Sequence, residues 1–156
     1  MSLFNTNGLN MISHHAAIIY AMVLSAAADG ELANEEINTI KTIINGLPIF
    51  KGFDSSKFNE IAGTCTDLLT EDDGLDAAIE IIRQSLPTPL CATAYALACD
   101  VVAVNGIATQ EELRFLEMLR HEIDVDRLTA AAIERGSAAR YTRHQAVNND
   151  LSLIHI

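Results

Sequence analysis

Carboxylates are the residues of this chain best placed to do chemistry, and they come in groups. Asp29, Glu31, Glu35 and Glu36 crowd one Asp-Gly turn, while Asn105, Glu111 and Glu112 crowd an Asn-Gly turn further along. Oxygen-rich turns suit hard divalent cations such as Ca²⁺ or Mg²⁺, which accept carboxylates, carbonyls and water as ligands. The alternate-position ligands of an EF-hand loop are absent. The same residues have a purely structural use: Asp29 closes a helix, and the Glu pairs sit where a helix N-terminus welcomes negative charge and has amides to cap. On the cation reading the ligands are Asp29, Glu35, Glu36 and Glu112, joined by Asp100.

Asp100 is singular because it interrupts the apolar stretch Leu90–Val104. A carboxylate buried there needs a partner or must hold its proton. It either lines a cleft between central helices or pairs with an arginine, for which Arg114 and Arg120 are the candidates. A further acidic run, Glu71, Asp72, Asp73 and Asp76, opens a helix. Such a run is either a solvated face that gains from the helix dipole or a docking patch for a basic partner.

Other constellations are weaker. His14 and His15 are neighbours with no His or Cys at helical spacing, so they make no zinc site, and His121 and His144 stand apart. All four are expected at the surface. Cys65, Cys91 and Cys99 form no CxxC pair and read as free thiols of a reducing compartment. A Ser–His–Asp order, a glycine-rich phosphate loop and a Rossmann turn are all missing, so the expectation is no catalysis.

Positioning these groups falls to helices. Apolar residues make up 49% of the 156 residues and aromatics only 5%, a balance of Ala, Leu and Ile that favours packed helices over sheets. The net charge of −11 repels a phosphate backbone and argues against nucleic acid as a partner. Four arginines between 127 and 144 make the last helix a local exception. Residues 1–15 lack the basic start of a signal peptide. The stretches Ala16–Ala28 and Leu90–Val104 are the most apolar, and the longer would span only about 22 Å as a helix. A bilayer core of about 30 Å is thicker than that, so both read as buried central helices and not as transmembrane segments.

Turn signals divide the chain into about seven helices. The expected spans are 9–28, 34–45, 55–69, one from 71 to 86, 88–104, 110–123 and 125–143. Thr109 with Glu112 forms a capping box, Asp124 caps the last helix, and Glu71, Asp72 and Asp73 lie in the first turn of the fourth. Ile37, Ile40, Ile43 and Ile44 make the inner stripe of the second helix. Leu113, Leu116 and Leu119 make that of the sixth, with Phe115 alongside. Shifting the sequence by 76 residues sets Asp29-Gly30 on Asn105-Gly106 and Glu35-Glu36-Ile37 on Glu111-Glu112-Leu113. The agreement of turn, acidic pair and apolar positions points to two related helix–loop–helix units.

The segment Ala26-Ala27-Ala28-Asp29-Gly30-Glu31-Leu32 followed by Glu35-Glu36 resembles the signature turn of the tellurite-resistance TerB family. The second copy, from Val104-Asn105-Gly106 to Glu111-Glu112, is similar to the turn in that family's second half, with Asn105 where the family carries Asp. The likeness covers roughly residues 9–135. It implies a compact all-α bundle of about seven helices, a role in bacterial stress response, and no catalysis. It also implies suggested divalent-cation binding and work alongside protein partners, some of them membrane-embedded. The resulting expectation is one TerB-like domain over residues 1–146 with a tail over 147–156. The protein would be a cytoplasmic, non-enzymatic module, reaching the inner membrane through a partner and compatible with a homodimer, that acts by protein–protein contact. The alternative is a divalent-cation-binding protein that uses its acidic turns.

Overall fold

The computed structural model describes residues 11–30 and 32–144. Among them every regular element is helical: α1 (His14–Ala26), α2 (Asn34–Gly46), α3 (Phe58–Leu68), α4 (Gly74–Ser85), α5 (Cys91–Ala103), α6 (Gln110–Glu122) and α7 (Arg127–Arg140), with three short 3₁₀ turns between. The all-α architecture is as the composition requires. The tail from residue 147 and Glu31 lie outside the described residues.

α1 is the axis of the bundle. Ser13 starts it by accepting the Ala16 amide, and every residue from Ala16 to Ala26 is buried. A helix apolar all round can exist in water only if enclosed. α5 lies along it, with α3, α4, α2 and α6 covering the remaining sides and α7 held on the far face of α5. Alanines at 17, 21, 26, 94 and 98 are fully buried and let neighbouring axes approach closely. No single helix among the described residues is long and apolar enough to cross a membrane.

α1 begins only at His14, after its Ser13 cap, and ends at Ala26, shorter at both ends than the expected 9–28. Boundaries differ from the sequence reading at three further places, each for a local reason. Glu71 and Asp72 lie in the turn before α4 and Asp73 is its N-cap, so of the acidic run only Asp76 falls in the helix's first turn. The chain there folds tightly back on α3, with the Glu71 amide on the Leu68 carbonyl and the Gly74 amide on the Glu71 carbonyl, and Asp73 adopts a left-handed conformation. Second, Asp124 does not cap α7. It takes a positive φ to close α6, and Asp126 caps α7 by accepting the Thr129 amide. Third, 3₁₀ turns at Ser55–Lys57 and Thr88–Leu90 precede α3 and α5 where continuous helix was expected.

Two packing expectations are also corrected. Leu113 is half exposed instead of inward, because Glu112 occupies the inner stripe with Phe115, Leu116 and Leu119. His15 is not a surface side chain: it is half-buried, stacked on Phe50 and beside Phe53, with its Nε2 2.7 Å from the Ile49 carbonyl oxygen. It thereby ties the loop after α2 to the start of α1.

Gly74 is the least replaceable of the glycines. A Cβ there would stand 1.8 Å from the Leu68 carbonyl oxygen. Gly74→Ala is expected to cost about 2–3 kcal/mol in urea unfolding by forcing α3 and α4 apart. Gly63→Ala, inside α3 with nothing within 4 Å of the new Cβ, should be neutral or stabilising.

Candidate functional site

The two glycine turns fold alike. Gly30 and Gly106 both take a positive φ, of 91° and 86°, a conformation that glycine adopts without steric cost. The helices that follow, α2 and α6, span equivalent positions 76 residues apart and are thirteen residues each. At the third position of each, a glutamate reaches back to cap the chain. Glu36 Oε1 accepts the Ala33 amide at 3.1 Å, and Glu112 Oε1 accepts the Thr109 amide at 2.8 Å. The second turn completes the reciprocal box, since Thr109 Oγ1 accepts the Glu112 amide. Ala33 has no oxygen to offer, so the first turn keeps half of it.

Because α1 and α5 lie side by side, the two turns meet. The carboxyl groups of Glu36 and Glu112 hydrogen-bond to each other. Both residues are buried, 3% and 2% exposed. Two carboxylates in contact cannot both ionise without severe repulsion. Burial, followed by the hydrogen bond and charge of Glu112 and by the charge of Asp29, pushes the Glu36 carboxyl up to about 7, against the opposing pull of the Ala33 amide. At the junction burial and the neighbouring Glu112 carboxyl favour a proton on Glu36, and each glutamate still caps its own helix.

The remaining sequence candidates do not join this pair. Glu35 is exposed and faces the end of α7, where Arg143 approaches it at 3.7 Å. Asp100 is turned away altogether. It accepts hydrogen bonds from Ser137 Oγ at 2.5 Å and Arg140 Nη2 at 2.6 Å, which fixes α7 on α5. Its arginine partner is therefore Arg140, not Arg114 or Arg120, and Asp100 anchors α7 on α5. Glu71, Asp72, Asp73 and Asp76 are all exposed on the α3–α4 corner, remote in role from the junction. Among the described residues no group of three or more His, Cys, Asp or Glu gathers as a metal centre. Of the five residues expected from sequence, the structure brings Glu36 and Glu112 together, and the charge of Asp29 acts on Glu36.

The second turn also forms one end of a groove that the sequence did not announce. α6 and α7 both pack on α5 and leave between them an open cleft of about 830 Å³. Its floor is Tyr95, Cys99 and Val102, and its α6 wall is Leu113, Leu116 and Glu117. Glu134, Ala138 and Tyr141 make the α7 wall, and Asn105 to Ala108 close one end. Ile107 and Leu113 are 82% and 51% exposed at its edge. At the floor the Tyr95 hydroxyl donates to Glu134 Oε2 at 2.6 Å, a part-buried contact. Burial first, then that bond, raises the Tyr95 phenol, and burial pushes the neighbouring Cys99 thiol up to about 12. The only signal for the groove in the sequence was Leu113, whose apolar character was assigned to the core.

Comparison with protein-family models, with curated proteins and with solved structures gave no match.

The carboxyl pair makes stability depend on pH with a definite sign. Between about pH 4.5 and 7 the unfolded chain releases the Glu36 proton while the folded chain keeps it. This contribution is therefore fully present below pH 4.5 and is lost as the pH rises to 7. Glu36→Gln keeps an acceptor for Ala33 and a donor for Glu112 but cannot ionise. It should melt close to the parent at pH 5 and above it at pH 8; a variant melting lower than the parent at both would contradict the proton held on Glu36.

Proposed function

We propose that this protein is a non-enzymatic, TerB-like module of a stress response, such as that to tellurite, which works by contact with a protein partner. The observation that carries this reading is the open apolar cleft between α6 and α7, rimmed by Ile107 and Leu113. Solvent-exposed apolar side chains gathered around a concave floor mark interaction surfaces. The reactive groups nearby are in structural use: Tyr95 and Glu134 hold each other, Asp100 holds α7, and the Cys99 thiol is pushed up to about 12 by burial. A thiol that stays protonated is a poor nucleophile. The TerB resemblance of the two turns supplies the stress-response context and the expectation of a cytoplasmic or membrane-embedded partner.

A second reading is favoured by a different observation, the contact of Glu36 with Glu112. A divalent cation could take the place of the Glu36 proton, with two carboxylates and water completing its shell in the manner of Mg²⁺. Calorimetric titration with Mg²⁺, Ca²⁺, Mn²⁺ and Zn²⁺ at pH 7.5 tests it, with Glu36→Gln and Glu112→Gln as controls.

The contact reading is tested by placing a photo-crosslinking residue at Leu113, and separately at Asp72, in the native host. A discrete protein adduct from position 113, absent from position 72 and preserved in mild detergent, is the expected result. Absence of an adduct at Leu113, together with micromolar cation binding that both Gln variants abolish, would replace the contact reading by the second.

A further inference from the structure

Resting on the contact reading, we infer that the α6–α7 groove receives an amphipathic helix whose apolar face is flanked by lysine or arginine. The shape argues for a helix. The groove runs between two helices of thirteen and fourteen residues, about 20 Å long, and has a helix as its floor. Side chains of a third helix fill such a furrow as ridges fill grooves. The volume of about 830 Å³ accommodates a few large apolar side chains, not a whole domain edge.

The charges argue for a basic flank. Three residues of charged type line the groove: Glu117 on the α6 wall, Glu134 on the α7 wall and Arg143 at one end. Arg143 is already engaged. It donates to the Val104 carbonyl at 2.7 Å and faces Glu35 at 3.7 Å, so its charge is turned toward the chain's own turn. Glu117 is mostly exposed, and Arg120 approaches it at 3.9 Å. Glu134 receives the Tyr95 hydroxyl on Oε2 alone. An apolar helix entering between two carboxylates, one on each wall, is met by negative charge on both sides. Facing ammonium or guanidinium groups would satisfy both walls, whereas facing carboxylates would be repelled. The net charge of −11 adds long-range steering of the same sign.

The test uses the full chain and a labelled helical peptide of about 16 residues, long enough to run the length of the groove. Three versions share one leucine face and carry lysine, glutamine or glutamate beside it. Fluorescence anisotropy at physiological salt reads the affinity. The expected result is binding of the lysine peptide, weakened about tenfold by Glu117→Lys and by Leu113→Glu, and little changed by Glu60→Lys on exposed α3. Circular dichroism on each variant keeps a folding defect from passing as lost binding.

Equal weakening by Glu60→Lys would mean diffuse attraction to an acidic protein and would overturn the inference. Equal or tighter binding of the glutamine or glutamate peptide, still lost in Leu113→Glu, would overturn the basic flank and leave the contact reading standing. No binding of any peptide, with a dimer in sedimentation that Leu113→Glu dissociates, would assign the groove to a second copy of this chain. No binding and no dimer would overturn the inference and remove the groove as support for the contact reading.

Discussion

The enclosure of α1 is the constraint on which the rest depends. Eleven consecutive buried residues leave that helix no face to show to water. It must be surrounded, and α5, also apolar along most of its length, lies against it. Each of these helices ends in a glycine turn and is followed by an amphipathic helix. Packing α1 along α5 therefore sets the two turns beside each other and sends α2 and α6 over neighbouring surfaces. The meeting of Glu36 and Glu112 is a consequence of this packing, not an independent feature.

That meeting carries an electrostatic cost, which the structure meets in two ways. Each glutamate caps a helix start, where backbone amides and the dipole favour negative charge. The residual repulsion is eased because burial and the neighbouring carboxyl push the Glu36 carboxyl up to about 7. The same geometry that closes the fold thus creates a group titrating near neutrality, at the back of the turn whose front edge, Asn105 to Ala108, closes the groove. Events at the carboxyl pair and at the groove share one loop. α7, by contrast, packs mainly on α5, where Asp100 meets Ser137 and Arg140 and Tyr95 meets Glu134. It forms the wall that the bundle core does not dictate.

Much of this was legible in the residues. The largely apolar character of 16–26 and 91–103 gave the central helices, and the glycine turns marked where each of them stops. Thr109 with Glu112 gave a capping box that the structure contains. What was illegible depended on rotation about a helix axis or on distant partners. Leu113 sits one residue past Glu112, and nothing in the local pattern says that a glutamate takes the inner position. Asp100 was recognisable as a buried carboxylate. Its arginine was not, because the partner lies on α7, forty residues on, and α7's placement follows from tertiary packing. The acidic run 71–73 looked like a first helical turn, but Gly74, fitted against the Leu68 carbonyl, delays the helix by a few residues.

Packing of the two apolar helices brings two glutamates from separate turns together in the interior, where Glu36 holds its proton far more tightly than a free glutamate. Carbon-13 NMR of the side-chain carboxyls, with Glu36 and Glu112 assigned by substitution, measures this directly. One of the two should titrate near pH 7, with the other's resonance shifting in the same step. Independent titration of both close to the ordinary glutamate value of about 4.3 would place them apart and contradict the account.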